Sequence, residues 1–168
     1  MISIYTDGAC SGNPGIGGWG AVILIDTNKT IYLNGGEAET TNNRMEITAA
    51  IQSILYFKTI SELEIFTDSQ YLKNGVESWI KNWKINGWKT SNKKPVKNQD
   101  LWIALDKLTV KHKIKWNWVK GHANNKYNEK ADFLARKFIE ENIKNFLLFN
   151  CNSFFFNFEF LCKTKMDD

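Results

Sequence analysis

The sequence predicts an α/β fold, because strand-type and helix-type hydrophobic patterns follow one another along most of the chain. Three apolar stretches before residue 40 are separated by short turns, which is typical of an antiparallel meander. After residue 40 helical and extended patterns alternate, and this alternation favours parallel strands covered by helices. With 168 residues, of which 43% are apolar, the chain is long enough to bury one core of that kind.

The first strand is predicted to begin at Ile2 and to reach Asp7, since apolar and polar residues alternate through it. Residues 8–15 follow and are rich in Gly, Ser, Asn and Pro, which predicts a turn. Asp7 is then an acid on a buried strand, a position that costs free energy unless a cation or hydrogen bonds compensate it. Capping of the turn is the alternative role for an Asp-Gly pair taken alone.

The next elements complete the meander and add a helix. Residues 19–25 are an apolar run typical of a central strand, and residues 30–34 return as a third strand. Behind the polar cluster at residues 40–43, apolar residues recur with helical spacing and predict an amphipathic helix. Glu46 lies in its first turn, where Asn43 and Glu46 also fit a capping box that alone would explain the acid.

Asp68 repeats the arrangement of Asp7, because it directly follows a short β-prone stretch at residues 63–67. Asp68 or Ser69 could instead serve as the N-cap of the helix that follows. A further helix is predicted over residues 100–110.

The last predicted elements are a strand, a polar loop and a helix. Residues 114–118 alternate between apolar and polar side chains and predict the fifth strand. His122 lies in the Gly/Asn-rich loop after this strand, and Asp132 lies early in the last helix. A structural role for His122 and a helix-dipole role for Asp132 are the alternatives to a catalytic one.

A basic, tryptophan-rich stretch lies between residues 73 and 100. It carries seven lysines and two acids, a local net charge of +5 in a chain whose total is +4. Tryptophans interleaved with lysines can pack a small subdomain with a solvated basic face, and they can also bind a phosphate backbone and its bases. Both interpretations fit this stretch.

The cysteines and the amino terminus indicate the compartment. The three cysteines form no Cys-x-x-Cys pair, so the sequence predicts neither a disulfide framework nor a zinc site. The first strand begins too early to leave room for a signal peptide, and we expect a cytoplasmic protein.

Four acids at strand ends and helix starts, a loop histidine and a Lys/Trp patch together indicate phosphodiester cleavage. This reaction must neutralise a polyanion and generate hydroxide near neutral pH, which two Mg²⁺ ions can do. Mg²⁺ is a hard cation held by carboxylates and by substrate phosphate oxygens. The predicted metal ligands are Asp7, Glu46, Asp68 and Asp132. Their sequence spacing does not by itself bring them together in space.

Five sequence blocks then carry a family resemblance. They read Tyr-Thr-Asp-Gly-Ala-Cys-x-Gly-Asn-Pro-Gly, Thr-Thr-Asn-Asn-Arg-Met-Glu, Thr-Asp-Ser-Gln-Tyr, Trp-Ile-x-Asn-Trp-Lys-x-x-Gly-Trp-Lys-Thr, and Val-Lys-Gly-His-Ala with Asn-Glu-x-Ala-Asp after it. In their residues and in their order along the chain, these blocks resemble those of bacterial type 1 ribonuclease H (ribonuclease HI). The resemblance implies a ribonuclease H-like fold, with a mixed five-stranded sheet flanked by helices. It also implies endonucleolytic hydrolysis of the RNA strand of RNA–DNA hybrids by a two-metal-ion mechanism, leaving 5′-phosphate and 3′-hydroxyl ends.

The resemblance assigns roles by matching position. Asp7, Glu46, Asp68 and Asp132 would be catalytic metal ligands for Mg²⁺, which Mn²⁺ could replace, and Asp7 would be shared by both ions. The flexible-loop His122 would assist proton transfer or product release. The residues implied at the minor groove of the hybrid, where 2′-hydroxyls mark the RNA strand, are Cys10, Asn13, Asn42, Asn43 and Gln70. Those implied at a DNA-strand phosphate are Thr41 and Asn98. Those implied in the basic protrusion, about residues 76–100, are Trp79, Asn82, Trp83, Lys84, Trp88 and Lys89.

Two features depart from the family. Asn124 stands where many relatives carry Gly, and we expect the loop to survive because Asn tolerates left-handed backbone geometry. The resemblance covers roughly residues 1–141, the predicted domain, whereas residues 142–168 form an atypical Phe-rich tail. The tail is too short and too interrupted by polar residues to predict a membrane span. An appendage without a selected function is one interpretation, and a membrane-surface or partner-docking segment is the other.

Other function classes share some of these features. A hybrid-binding module without activity would explain the basic patch, but we would expect it to have lost an acid. A polynucleotidyl transferase or resolvase would share the carboxylates without needing the minor-groove set or the Trp/Lys stretch. We expect the partner to be an RNA–DNA hybrid, with no stable protein partner, and the protein to be a monomer.

Overall fold

The computed structural model describes residues 1–121, 123–150 and 163–165, with side chains described through residue 143 apart from residue 122. The strands are β1 (Ile2–Gly12), β2 (Gly15–Leu24), β3 (Thr30–Thr40), β4 (Glu62–Thr67), β5 (Lys113–Trp118) and β6 (Lys163–Lys165). They form one sheet in the order β5-β4-β1-β2-β3-β6. β1 pairs antiparallel with β2 and parallel with β4. The first five strands are therefore the predicted mixed sheet, and the short β6 adds to the outer edge of β3.

Helices cover both faces of this sheet. They are α1 (Asn42–Leu55), α2 (Gln70–Asn74), α3 (Ile80–Ile85), α4 (Gln99–Lys111) and α5 (Lys126–Asn150), with a π-helical turn at Gly75–Trp79 joining α2 to α3. α1 packs on β1 and β2 from one side, and α5 packs on β1, β2 and β3 from the other. The α/β fold class is confirmed. Across the described residues, no helix combines the length and the apolar character that a membrane span needs.

The first and third strands are longer than the sequence patterns predicted. β1 continues through the Gly-rich stretch to Gly12, and only Asn13 and Pro14 separate it from β2. Two glycines of β2 allow a neighbouring helix to pack closely on the sheet. A side chain at Gly18 or Gly20 would collide with the backbone of α5, so these glycines let the helix lie directly on the sheet.

The start of α1 differs from the predicted capping box. Thr41 is the N-cap, and its Oγ1 accepts a hydrogen bond from the backbone N–H of Arg44 at 3.4 Å. Asn43 and Glu46 are therefore not needed to cap the helix. Glu46 is buried instead, with 5% of its surface exposed. A capping role for this acid is wrong, and its position needs another explanation.

The tryptophan-rich stretch folds as a small aromatic subdomain. Trp83 lies 5.7 Å from Trp102 between ring centroids, and Trp102 is fully buried. Trp79 and Trp88 pack on Trp83 from either side, at 5.6 Å and 6.4 Å. The lysines of this stretch remain largely exposed. Aromatic packing and a solvated basic face therefore occur together.

Candidate active site

Two of the predicted acids meet because their strands are neighbours and parallel. Thr6 of β1 is paired with Thr67 of β4, so the next residues, Asp7 and Asp68, stand side by side. Asp68 directly follows β4 as predicted, whereas Asp7 lies within β1, because this strand continues past its predicted end to Gly12. Ser69, and not Asp68, caps the following helix, since its Oγ accepts a hydrogen bond from the N–H of Leu72 at 3.2 Å. The carboxylate of Asp68 is thus left available to the site.

The third acid arrives from α1. A side chain at Gly8 would overlap the backbone at Met45 and Glu46, so Gly8 lets the first turns of α1 touch β1. Asp7, Glu46 and Asp68 each offer an oxygen, and these oxygens lie within 4.8 Å of one another. Residues far apart in the sequence are therefore brought to one point by strand pairing and by a glycine contact.

The acids of this cluster perturb one another. Burial raises the pKa of Asp7 to about 8, and the nearby charges of Asp68 and Asp132 contribute to the rise. Burial also raises the pKa of Glu46, and Asp7 and Asp68 add to that effect, while the side chain of Asn42 opposes it. Asp7 is only 7% exposed. These carboxylates repel one another in an environment that disfavours negative charge.

A divalent cation fits this arrangement. Oε2 of Glu46 is buried without a hydrogen-bond partner among the described residues, so one carboxylate oxygen is unsatisfied. An unsatisfied buried oxygen beside two further carboxylates is a costly arrangement that a hard cation would stabilise. The donor set, all carboxylate oxygen, suits Mg²⁺ or Mn²⁺ and does not suit a thiol-seeking metal.

The fourth predicted acid lies on the wall of the same cleft. Asp132 lines it together with Asp7, Glu46 and Asp68, but its oxygens are outside the 4.8 Å cluster. Instead, Nε of Arg136 donates to Oδ1 of Asp132 at 2.7 Å, one helical turn along α5. Asp132 is thus held near the cluster by a basic partner that sequence reasoning missed. The i, i+4 spacing of an acid and an arginine was the available signal.

The predicted loop histidine, His122, lies outside the described residues. The nearby Asn124 has a φ of 61°, the left-handed backbone geometry that was expected for it.

The residues predicted to contact nucleic acid fall into two groups. Cys10 and Asn42 line the cleft beside the carboxylates. Asn13 is exposed in the turn between β1 and β2, Asn43 lies in the first turn of α1, and Gln70 is exposed at the start of α2. Asn13, Asn43 and Gln70 are not among the described residues that line the cleft.

The second group belongs to the aromatic subdomain and its base. The exposed residues of this group are Asn82, Lys84 and Lys89. Lys84 forms an ion pair with Asp106 at 2.9 Å, which no sequence pattern indicated. Nδ2 of Asn98 donates to the hydroxyl of Tyr71 at 3.1 Å, and Thr41 caps α1. Asn98 and Thr41 therefore each form a hydrogen bond within the protein.

One further contact was missed by sequence reasoning. Arg44 donates two hydrogen bonds to Asp100, at 3.0 Å and 2.8 Å, and lies 3.7 Å from Glu37. This network ties the starts of α1 and α4 to the end of β3. No local spacing reveals it, because Arg44 and Asp100 are 56 positions apart.

Comparisons with known proteins agree with this geometry. The sequence pattern of the family described as RNase H matches residues 1–140. A ribonuclease H of Ehrlichia ruminantium (strain Gardel) is 58% identical over 136 residues, which cover 80% of this chain and 92% of the relative. A ribonuclease H of Francisella tularensis subsp. novicida (strain U112) is 58% identical over 141 residues, which cover 83% of this chain and 91% of the relative.

Solved structures show the same fold. LC9-RNase H1, described as a type 1 RNase H with the type 2 active-site motif, aligns with a TM-score of 0.72 and 29% identity, covering 81% of this chain and 70% of that one. LC11-RNase H1 aligns with a TM-score of 0.63 and 22% identity, and the alignment covers 85% of this chain and 99% of LC11-RNase H1. The family is generally dependent on divalent metals, which fits the carboxylate cluster. By sequence and by fold, this chain belongs to the ribonuclease H family, a family of hydrolytic endoribonucleases.

Proposed function

We propose that this protein is an endonuclease that hydrolyses the RNA strand of RNA–DNA hybrids, using two divalent metal ions and leaving 5′-phosphate and 3′-hydroxyl ends. The observation that carries the proposal is the meeting of three carboxylates from β1, α1 and β4 at one open cleft. A binding module without activity has no use for this costly cluster, so the cluster favours catalysis.

Asp7, Glu46 and Asp68 would hold the metal ions, with Asp132 completing the set and Asp7 shared between the ions. When bound, Mg²⁺ or Mn²⁺ would supply charge neutralisation and an activated water near neutral pH. The pairing of β1 with β4 positions Asp7 and Asp68, and the close contact at Gly8 positions Glu46. His122 is proposed to assist proton transfer or product release.

The substrate class is proposed from the family and from the cleft. Cys10 and Asn42 line the cleft, and they are proposed to contact 2′-hydroxyls in a minor groove together with Asn13, Asn43 and Gln70. LC11-RNase H1 was crystallised in complex with an RNA/DNA hybrid, and at 22% identity it supports the fold alone. The specific recognition of a hybrid therefore rests on the residues of this chain and on its motifs.

We propose that the aromatic subdomain binds the RNA–DNA hybrid. Trp79, Trp83 and Trp88 stiffen it, while Lys89 and its neighbouring lysines offer positive charge to phosphates. Thr41 and Asn98 are proposed to contact one DNA phosphate at its base. We further propose that the protein acts as a cytoplasmic monomer on this substrate.

The proposal is tested by removing metal ligands one at a time. Asp7→Asn and Asp68→Asn are each expected to reduce single-turnover cleavage of a labelled hybrid by several orders of magnitude. Hybrid affinity should persist, because phosphate contacts elsewhere supply most of it. His122→Ala should slow turnover without stopping it.

Double-stranded RNA and double-stranded DNA of the same sequence serve as substrate controls, with EDTA as the metal control. Appreciable cleavage by Asp7→Asn would contradict the metal assignment. Equal cleavage of double-stranded RNA would contradict the proposed selectivity for hybrids.

A further inference from the structure

We propose that Asn128 is a positioning residue for Asp68, holding its carboxylate in the orientation that the metal site requires. Nδ2 of Asn128 donates a hydrogen bond to Oδ2 of Asp68 at 3.0 Å. The inference rests on the proposed function, because it takes Asp68 to be a metal ligand. The two residues are 60 positions apart, so their contact is a product of the fold.

The environment of Asn128 favours this role over a purely structural one. Asn128 is 2% exposed, and its Oδ1 has no hydrogen-bond partner among the described residues. A buried amide that leaves one polar atom unpaired costs free energy, and an apolar side chain of similar shape would avoid that cost. The amide therefore lowers the stability of the fold at this point while it donates to Asp68.

Two further residues, at the end of β5 and just after it, contact or closely approach Asp68. Nε1 of Trp118 donates to the backbone oxygen of Asp68 at 3.1 Å. Gly121 passes so close that an added Cβ would lie 2.7 Å from Oδ2 of Asp68, the oxygen that Asn128 also contacts. With its backbone and one carboxylate oxygen held in this way, Asp68 has little freedom to rotate.

This contact also joins two parts of the metal site. Asn128 and Asp132 are four residues apart in α5, so they lie on the same face of the helix one turn apart. The hydrogen bond to Asp68 therefore links that acid to the part of α5 that carries Asp132. Partners that orient metal ligands typically contribute about 10–100-fold to metal affinity or activity.

Asn128→Leu is the sharpest test, because leucine has a similar branched shape and no hydrogen-bond donor. Calorimetric titration of the free enzyme with Mg²⁺ alone is expected to show a Kd raised about 10–100-fold. With hybrid, the variant should need more Mg²⁺ for half-maximal cleavage, and kcat at low Mg²⁺ should fall. The KM for the hybrid should stay near that of the wild type, since no substrate contact is removed. Asn128→Ala should give the same pattern if the leucine variant does not fold.

Asn125→Ala is the matched control. Oδ1 of Asn125 accepts from the N–H groups of Tyr127 and Asn128, at 3.2 Å and 3.3 Å, so it caps α5 without contacting Asp68. This variant should lose stability and keep the wild-type Kd for Mg²⁺. An unchanged Kd in Asn128→Leu and Asn128→Ala, or an equal rise in Asn125→Ala, would overturn the positioning role. A wild-type protein that binds no Mg²⁺ at all would overturn the proposed metal site, and with it this inference.

Discussion

Asp7 makes the stability of the metal-free protein depend on pH. Its pKa is raised from 3.8 to about 8, first by burial and then by Asp68 and Asp132. The folded protein therefore holds a proton that the unfolded chain releases above about pH 4. Stability should be highest at the acidic end of this window and should fall as pH rises towards 8, by on the order of 1.4 kcal/mol per pH unit for one such group.

Urea unfolding in EDTA at several pH values between about 5 and 8 measures this dependence. Asp7→Asn should flatten it in part, because Glu46, whose pKa is also raised, keeps a slope of the same sign. Saturating Mg²⁺ should raise stability most at high pH, where the ionised carboxylates bind the cation. A wild-type stability that rises with pH in EDTA would contradict the raised pKa values.

Asp132 allows a separate test of charge repulsion. Its charge helps to raise the pKa of Asp7, so Asp132→Asn should stabilise the protein in EDTA by about 1 kcal/mol, roughly 2–4 °C in Tm. Removal of the ion pair with Arg136 offsets little of this gain, because the arginine is 58% exposed. The gain should shrink in high Mg²⁺.

Arg136→Gln is the control, since it removes the same ion pair and keeps the negative charge. Its Tm in EDTA should be unchanged or lower. If both variants lower the Tm, Asp132 acts as an ordinary partner of the helix and the repulsion argument is wrong.

At the level of single residues, sequence reasoning succeeded where a local pattern carried the information. Asp68 was recognisable as an acid at a strand end, whereas Asp7 lies within β1 and not at its end, and the register of β1 and β4 makes the two acids neighbours. Glu46 fitted a capping box equally well, and only the close approach of α1 at Gly8 shows that it faces the cluster. The Asn128–Asp68 contact could not be predicted, because it depends on how β4 and α5 pack.

At the level of elements, the aromatic subdomain allows hybrid binding to be tested separately from catalysis, because its lysines are not part of the carboxylate cluster. Lys89, Lys93 and Lys94 are exposed and form no ion pair within the described residues, whereas Lys84 is paired with Asp106. Replacing the three unpaired lysines by alanine should raise the KM for the hybrid several-fold at moderate salt. The slope of log affinity against log salt should flatten by up to about 0.9 for each phosphate that is no longer neutralised. The kcat at saturating hybrid should change much less.

A variant with the same reduction of charge elsewhere provides the comparison. Lys29, Lys58 and Lys111 are exposed residues of the β2–β3 turn, of the connection between α1 and β4, and of the end of α4, and they too form no ion pair within the described residues. Their triple replacement should leave the salt slope close to that of the wild type. If both triple variants behave alike, total charge and not the subdomain governs hybrid binding.

The elements themselves were largely predictable, and their ends were not. The helix predicted over residues 100–110 is α4, Gln99–Lys111, because its apolar spacing is regular. β3 extends to Thr40, well past the predicted end at residue 34. Glycines at 35 and 36 looked like a turn, yet Gly36 lies in the sheet against Phe138, where any side chain would collide. Turn chemistry and close packing use the same residue type, so the sequence could not distinguish them.

At the level of the whole molecule, the domain boundary can be tested by truncation. The family match ends at residue 140, and Ile143 is the last described residue that lines the cleft. A chain ending at Ile143 should therefore keep its cleavage activity, with a Tm within a few degrees of the full chain. Removing the Phe-rich residues should also improve solubility, because sequence stretches rich in aromatic side chains promote association.

Cleavage of a labelled hybrid measures the retained activity, and thermal unfolding measures the Tm. The truncated chain also lacks β6, which pairs with β3 at residues 32–34, so the edge of β3 would be exposed. A chain ending at Asn150 retains all of α5 and separates the effect of the helix from that of β6. Failure of both chains to fold would show that the segment after α5 belongs to the domain.

Because α5 follows β1, α1 and β4 in the sequence, it is synthesised after the other elements of the candidate site. Asp7, Glu46 and Asp68 all precede the helix that carries Asp132 and closes one face of β1, β2 and β3. Because synthesis runs from the amino terminus and domains fold as units, a nascent chain lacks a complete catalytic centre until that helix has emerged. We therefore expect no cleavage activity from the chain until α5 has been synthesised and has packed on the sheet.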